Sequence, residues 1–167
     1  MNYLARLIMV IGLPASGKTY FSTLLAKQLN ATHLNSEKVR QEMGLEGRYD
    51  ETAKAIVNET LFNKAKNALL KEDSVIVDAV LAQQIQREPF QNLSEDINVP
   101  IHWVELDADA STIEKRMQST SPNPSRLLVY KRLQSKFDPL TNKHLKLSTD
   151  LQSLPSMLQK AIQFITG

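Results

Sequence analysis

Near the N-terminus an apolar run, RLIMVI from Arg6 to Ile11, leads directly into GLPASGKT from Gly12 to Thr19. Consecutive apolar residues without polar alternation are typical of a short strand buried on both faces. The segment behind it has the spacing G-x-x-x-x-G-K-[ST], the pattern of a phosphate-binding loop. Glycines at these positions let backbone N–H groups surround a phosphate, and the helix that follows directs its N-terminus at the same anion.

This pattern predicts a role for each residue of the loop. Lys18 is expected to reach the β- and γ-phosphates of ATP, and the Thr19 hydroxyl to ligate Mg²⁺. The sequence therefore predicts ATP and Mg²⁺ as cofactors. The alternative is a glycine-rich turn between a strand and a helix that binds nothing. The predicted nucleotide-binding residues are Gly12, Leu13, Pro14, Ala15, Ser16, Gly17, Lys18 and Thr19.

Composition is that of an ordinary globular protein. The chain has 167 residues, 42% hydrophobic and 23% charged, which is enough for one domain with a real core, predicted over residues 1–167. No apolar run approaches the ~20 residues that span a bilayer, so no membrane partner is expected. The apolar N-terminal stretch runs straight into the glycine loop with no separate cleavage site, which argues against a signal peptide. The chain has no cysteine, and a cytoplasmic location is predicted.

Apolar runs alternate with amphipathic segments along the whole chain. The predicted strands are LIMVIG, THLN, SVIVDAV, PIHWVELDAD and HLKLSTD. The order predicts an α/β fold in which a parallel five-stranded sheet carries helices on both faces. Ser36 and Asp50 are expected to cap the helices that follow them, and Pro89 to break or open its helix. A loop is predicted from Ser119 to Ser125, because two prolines and three serines disfavour regular structure.

Charge is distributed unevenly although the net charge is only +2. Residues 88–114 contain seven acids and no Lys or Arg, whereas residues 115–146 contain eight Lys or Arg and one acid. The basic stretch is either a solvated helix or a lid, around residues 117–130, that faces ATP or substrate. Nucleic acid is a possible partner that is not favoured, because the sequence has no aromatic stacking platform.

Two carboxylates follow predicted strands. Asp78 ends an apolar strand, where it either caps a turn or lies at the Mg²⁺. Glu37 and Arg40 are three residues apart and share one helix face. There Glu37 could accept a proton from an attacking hydroxyl while Arg40 holds the substrate or the transferring phosphate. The alternative is a surface ion pair of little energetic value.

Together these motifs resemble small P-loop kinases related to polynucleotide 5′-hydroxyl kinase, a group that includes chloramphenicol phosphotransferase, gluconate kinase and the zeta toxins. The resemblance covers roughly residues 7–150 and rests on GLPASGKT, HLNSEKVRQEM, GRYDE, VIVDA, PIHWVELDAD and IEKRM. It implies a P-loop NTPase fold, similar to nucleoside kinases, and transfer of the ATP γ-phosphate to a hydroxyl acceptor. Glu37 stands where the family usually has its Asp base, Arg40 is in register, and Asp78 matches the later Asp.

The resemblance also implies a lid with two arginines four residues apart. Arg116 matches the first, which stacks on adenine, but the second position is Thr120. Arg126 is expected to replace that missing charge. The alternative is a nucleotide-binding or ATPase regulatory module with little phosphotransfer. The acceptor stays open among nucleic-acid ends, sugars, antibiotics and nucleotide sugars, because one fold serves many functions.

Other polar and aromatic residues carry weaker expectations. By resemblance Tyr49 touches substrate, or it covers the core at a turn. Arg87 either faces the acceptor pocket or lies on a helix surface, and Trp103 is expected in the core. Structural roles are expected for the three histidines, His33, His102 and His144.

Overall fold

The computed structural model describes residues 4–120 and 124–167, and no side chain at 120, 124 or 125. Five parallel strands form one sheet in the order β2-β3-β1-β4-β5. The strands are β1 (Leu7–Ile11), β2 (Thr32–Asn35), β3 (Val75–Ala79), β4 (Ile101–Asp107) and β5 (His144–Ser148). The predicted five-stranded parallel sheet is thereby confirmed.

Seven helices lie in the described part of the chain. They are α1 (Lys18–Leu29), α2 (Ser36–Glu42), α3 (Glu51–Leu70), α4 (Gln84–Asp96), α5 (Ala110–Thr120), α6 (Pro124–Lys136) and α7 (Leu154–Thr166). Helices α5 and α6 extend into the loop predicted over residues 119–125, and the centre of that loop, 121–123, lies outside the described residues. Among these helices none is both long and apolar enough to cross a membrane. The cytoplasmic location stays a prediction.

The central strand β1 explains why its sequence lacks polar alternation. Leu7, Met9 and Ile11 join one core, with side chains of α3 and α4, and Ile8 and Val10 join a second core, with α1 and α7. All five side chains are completely buried. Successive side chains of a strand point to opposite faces, so a strand covered on both sides must be apolar at every position.

A third and smaller apolar cluster joins the two helices of the predicted lid. Ala108, Ile113 and Met117 pack with Tyr130 of α6. The lid helices are therefore held together by buried side chains as well as by the chain between them.

Capping of the helices agrees only partly with expectation. Asp50 caps α3 as predicted, because its carboxylate accepts the N–H of Ala53. The prediction that Ser36 caps α2 is wrong: Asn35 has the extended backbone of a cap, and its side chain accepts the N–H of Lys38 at 2.9 Å. Ser36 is already the first helical residue, so the last residue of β2 serves as the cap.

Pro89 does not break its helix, contrary to expectation. Helix α4 runs through it and starts with a capping box in which Gln83 and Gln86 satisfy each other's backbone N–H groups. Phe90 and Leu93 are buried just beyond the proline. The burial of this apolar face favours a continuous helix over the cost of one missing hydrogen bond.

Arg87 lies neither on a helix surface nor in an open pocket. It is 1% exposed, and its guanidinium donates to the carbonyls of Leu81 at 2.7 Å and Ala82 at 3.0 Å. The guanidinium carbon also lies 4.9 Å from the ring centre of Phe137, just after α6. The next residue, Asp138, contacts the same loop, because its N–H donates to the Ala82 carbonyl at 2.7 Å. Arg87 thus fastens the end of α6 to the loop between β3 and α4. Trp103 lies in the core as expected, 2% exposed.

Replacing Arg87 with Met tests this fastening. We expect Arg87→Met to lower the free energy of unfolding by about 2 kcal/mol, because the Leu81 carbonyl loses its side-chain donor and the Ala82 carbonyl keeps only the Asp138 N–H. The control Arg48→Met removes a half-exposed ion pair to Asp50 and should cost less than about 0.5 kcal/mol. Urea denaturation measures both, and equal shifts of the two midpoints would contradict the assignment.

Candidate active site

The loop from Gly12 to Gly17 connects the carboxyl end of β1 to the start of α1. The Ser16 N–H donates to the Leu13 carbonyl at 3.2 Å and closes a turn. Lys18 folds back over the loop and donates to the same carbonyl at 3.0 Å. Gly17 precedes α1 with a left-handed backbone and no side chain to cap it. The first-turn N–H groups of α1, which have no acceptor within the helix, are therefore available to an anion.

Glycine is required at position 12 because the loop passes against β4. A Cβ atom there would lie 2.4 Å from the Leu106 carbonyl oxygen and 2.8 Å from the Ser16 hydroxyl. The first of these atoms belongs to the sheet backbone and cannot move aside. The loop thus begins in direct backbone contact with the neighbouring strand.

Lys18 is a buried cation whose charge interacts with two carboxylates. It is 9% exposed, and burial lowers the pKa of its ammonium, while the negative charges of Asp78 and Glu37 raise that pKa. Charges in a poorly hydrated site interact more strongly than charges at the surface. The ammonium group of Lys18, at the start of α1, can therefore attract phosphate oxygens strongly.

Asp78 is the hub of a buried polar network. It lies in β3, level with Asn35 of β2, and is 1% exposed. Its Oδ2 atom accepts from Asn35 Nδ2 at 2.9 Å and pairs with His33 Nε2 at 3.0 Å. The Asn35 amide also donates to Thr19 Oγ1 at 3.1 Å. One asparagine therefore connects the phosphate loop to the strand carboxylate.

His33 and Asn35 are site residues that the sequence analysis missed. It expected a structural role for His33 and gave Asn35 none. The signal that could have found them is their spacing, because residues two apart in a strand face the same side, here toward Asp78 on the neighbouring strand.

The second oxygen of Asp78, Oδ1, is buried and has no hydrogen-bond partner among the described residues. Such an oxygen is costly unless a ligand satisfies it. Together with the Thr19 hydroxyl it forms the kind of oxygen set that Mg²⁺ prefers, completed in such sites by phosphate oxygens and water. The described residues hold no cluster of three or more His, Asp or Glu side chains that would bind a metal by itself. The residues fit Mg²⁺ bound together with a nucleotide.

A second cluster forms around Glu37 in the first turn of α2. One carboxylate oxygen, Oε1, accepts from Arg40 Nη1, and the other, Oε2, accepts from the Tyr49 hydroxyl at 3.2 Å. The Arg40 guanidinium lies 4.5 Å from the centre of the Tyr49 ring. Arg40 is 6% exposed whereas the Glu37 side chain is half exposed. The pair is therefore not an ordinary surface ion pair, because its cation is buried.

The Tyr49 hydroxyl remains a hydrogen-bond donor to Glu37. Burial raises the pKa of Tyr49, and the Glu37 carboxylate raises it further, whereas Arg40 and Arg126 oppose the shift. Arg126, in the first turn of α6, is thus close enough to act electrostatically on the same tyrosine. In the predicted lid, Arg126 therefore adds positive charge to the environment of Tyr49.

Arg116 of α5 contacts the phosphate loop itself. One nitrogen, Nη1, lies 3.0 Å from the Ala15 carbonyl and 3.0 Å from Thr149 Oγ1. Thr120 occupies the position, four residues after Arg116, where the resemblance implies a second arginine. Its side chain lies outside the described part of the structure. Of the predicted site residues, the loop, Glu37, Arg40, Asp78 and Arg116 lie around the carboxyl edge of the sheet, and Arg126 acts on Tyr49 there through its charge.

His102 and His144 take no part in this site. The ring centre of His102 lies 6.0 Å from that of Phe164. Burial lowers the pKa of the His102 imidazole. His144 pairs through Nδ1 with the Asn142 carbonyl at 2.8 Å. Both contacts agree with the structural roles expected for them.

Replacing Gly12 with Ala tests the close approach of the loop to β4. We expect Gly12→Ala to cost about 3 kcal/mol of folding stability, because the new methyl group overlaps a sheet carbonyl. The control Gly44→Ala meets no atom within 4 Å and should cost only about 1 kcal/mol, for its left-handed backbone. Urea denaturation of both variants is the measurement. A Gly12→Ala variant as stable as Gly44→Ala would contradict the described contact.

Three solved structures show the same fold at low sequence identity. APS kinase CysC from Mycobacterium tuberculosis, in complex with AMPPNP and APS, has a TM-score of 0.75 and 19% identity, with 98% of each chain covered. A gluconokinase from Sinorhizobium meliloti has a TM-score of 0.70 and 15% identity, covering 99% of this chain and 94% of its own. Kti12 from Chaetomium thermophilum, in complex with ADP-AlF3, has a TM-score of 0.74 and 16% identity, covering 96% of this chain and 100% of its own.

No curated protein sequence matches this chain. A protein-family model does: AAA_33, described as an AAA domain, matches residues 7–140. That range starts with β1 and ends after α6, so it contains the phosphate loop, both carboxylate clusters and the lid. The chain belongs to the AAA_33 family of AAA domains.

Proposed function

We propose that this chain is a kinase that binds ATP with Mg²⁺ at Gly12–Thr19 and transfers the γ-phosphate to a hydroxyl acceptor. The observation that carries the proposal is the buried ammonium group of Lys18 at the start of α1, whose charge interacts with the carboxylates of Asp78 and Glu37. A phosphate-binding cation is thus electrostatically coupled to a carboxylate suited to a metal and to one suited to a base. Kinases among the structures of similar fold support the proposal.

Each half of the site has a role in the proposal. Lys18 and the N–H groups of the loop bind the phosphates, and Thr19 and Asp78 would hold Mg²⁺, which supplies charge neutralisation when bound. Asn35 and His33 fix the Asp78 carboxylate. These residues align the nucleotide, which is most of what phosphoryl transfer requires of a protein.

Glu37 is the proposed general base. The acceptor oxygen attacks the γ-phosphorus, the bond between that phosphorus and the β,γ-bridging oxygen breaks, ADP leaves, and the hydroxyl proton passes to Glu37. Arg40 and Arg126 bring positive charge to the transferring group, and Arg116 anchors the lid to the loop. Glu37 lies in the first turn of α2, directly after β2, so its carboxylate is at the end of the strand where the proposal needs a base.

The hydroxyl of Tyr49 marks where the acceptor hydroxyl binds. A base must lie roughly 2.6–3.2 Å from the oxygen whose proton it takes. Tyr49 Oη lies 3.2 Å from Glu37 Oε2. An acceptor hydroxyl therefore replaces the tyrosine hydroxyl at Glu37. The proposed acceptor is a compound with a free hydroxyl group, such as a sugar, a nucleotide sugar or an antibiotic. A nucleic-acid end is included but not favoured.

A regulatory nucleotide-binding module is the second candidate. Both Glu37 oxygens already have donors, Arg40 and Tyr49, so an acceptor hydroxyl must displace one of them to reach the carboxylate. Kti12, one of the structures of similar fold, was solved with ADP-AlF3 and is not named as a kinase. This candidate predicts nucleotide binding and slow ATP hydrolysis that no acceptor stimulates.

Glu37→Gln distinguishes the two candidates. If Glu37 is the base, the variant lowers acceptor-stimulated phosphoryl transfer by roughly 10²–10⁴-fold while the KM for ATP stays nearly constant. The assay is ADP release with Mg²⁺ and a panel of 5′-hydroxyl oligonucleotides, nucleosides, sugars and antibiotics. Glu42→Gln, on the same helix and paired with Lys64, is the matched control and should keep full transfer.

Two outcomes would count against the kinase. Acceptor stimulation that survives Glu37→Gln would remove Glu37 from the mechanism. ATP hydrolysis that no acceptor on the panel stimulates, and that Glu37→Gln leaves unchanged, would favour the regulatory module.

Tyr49→Phe tests the acceptor position. The variant keeps the ring over Arg40 but frees Glu37 Oε2 for water, so ATP hydrolysis without acceptor should rise about fivefold. Tyr20→Phe, which removes an exposed hydroxyl on α1, is the control and should hydrolyse ATP at the wild-type rate. An unchanged or lower rate in Tyr49→Phe would contradict the proposed place of the acceptor hydroxyl.

A further inference from the structure

Thr149, directly after β5, touches the phosphate loop although no sequence motif includes it. Its hydroxyl donates to the Ser16 carbonyl at 2.8 Å, with the Asp107 carbonyl at 3.3 Å as a longer second acceptor. The same oxygen accepts from Arg116 Nη1 at 3.0 Å. One side chain thus joins the phosphate loop, the lid helix α5 and the end of β4.

The backbone and the methyl group of Thr149 hold that hydroxyl in place. Its N–H donates to the Asp107 carbonyl at 2.8 Å, which fixes the residue against the end of β4. Its Cγ2 atom would lie 3.2 Å from a Cβ atom at Gly17. The methyl group therefore packs against the glycine that begins α1. The hydroxyl holds Ser16 and the methyl group abuts Gly17, on consecutive residues of the loop.

Arg116 extends this tie to the other side of the loop. The nitrogen that donates to Thr149 also donates to the Ala15 carbonyl at 3.0 Å. Three consecutive loop residues, Ala15 to Gly17, are therefore fixed from outside by Arg116 and Thr149. The carbonyls of Ala15 and Ser16 are thereby occupied by donors from Arg116 and Thr149. A carbonyl oxygen turned toward a phosphate would instead repel it.

We propose that Thr149 is a positioning residue for nucleotide binding, which holds the phosphate loop in its anion-binding shape and couples it to the lid through Arg116. The inference rests on the proposed nucleotide site but not on the acceptor or on Glu37. Thr149 acts in both the ground state and the transition state, because it orders the loop before any bond changes. Its loss therefore raises the KM for ATP and leaves kcat nearly unchanged.

Two substitutions at Thr149 separate the hydroxyl from the methyl group. Thr149→Val keeps the shape and removes the hydroxyl, and Thr149→Ser keeps the hydroxyl. We expect Thr149→Val to weaken binding of a fluorescent ADP analogue about tenfold and to raise the KM for ATP in parallel. Thr149→Ser should bind within about threefold of wild type. Thr166→Val, which removes a threonine hydroxyl from the last turn of α7, is the matched control.

A double variant tests the coupling to the lid. Arg116→Met should weaken ADP binding less in the Thr149→Val background than in wild type, because the contact between the two residues is already lost. Equal losses in both backgrounds would refute the coupling. Thermal unfolding of every variant shows whether it is folded, and a purely structural Thr149 would lower the melting temperature without shifting the ADP affinity.

The results separate this inference from the proposed function. If wild type binds ADP and Thr149→Val binds it equally well, the positioning role is overturned while the kinase proposal stands. If wild type binds neither ADP nor ATP, the nucleotide site fails and the inference fails with it.

Discussion

The site depends on the parallel pairing of β1 with β3 on one side and β4 on the other. In register, Val10 lies beside Asp78 and also beside Val104. Parallel neighbours lie about 4.8 Å apart, so their carboxyl ends meet at one edge of the sheet. The phosphate loop leaves β1 between the ends of β3 and β4. The connection after β1 runs toward β2 and the connection after β4 runs toward β5, in opposite directions along the sheet, which opens a crevice at the strand ends. The sheet order thus decides which loops surround the phosphate loop.

The close packing at this edge explains the chemistry of its polar residues. Gly12 has no room for a side chain, and Asp78 is almost completely buried. Buried polar atoms require partners: one Asp78 oxygen contacts both Asn35 and His33, whereas the other has no hydrogen-bond partner in the described part of the chain. Water exclusion strengthens the interaction of this carboxylate with Lys18. A buried network with one unsatisfied oxygen is therefore suited to a bound cation.

Helices α5 and α6, which form the predicted lid, interact with the rest of the protein in three ways. Arg116 of α5 contacts the phosphate loop, and the charge of Arg126 of α6 acts on Tyr49 beside Glu37. Beyond α6, and away from the candidate site, Phe137 contacts Arg87 and Asp138 donates to Ala82. An apolar cluster packs α5 against α6. In the proposed kinase the two helices therefore bring positive charge to both the nucleotide and the acceptor half of the site.

The sequence by itself determined the α/β class, the five strands and the phosphate loop. Those features follow from local rules: apolar runs make strands buried on both faces, and the glycine spacing makes a loop that binds anions. Asp78 and Glu37 are predicted site residues because each follows a strand, and Arg40 is predicted because it shares a helix face with Glu37. Tertiary packing alone sets the burial of Arg87, the continuous helix through Pro89, the contacts of His33 and Asn35 with Asp78, and the contact of Thr149 with the phosphate loop. These contacts join residues up to 133 positions apart, and no local pattern specifies which strand ends and loops meet.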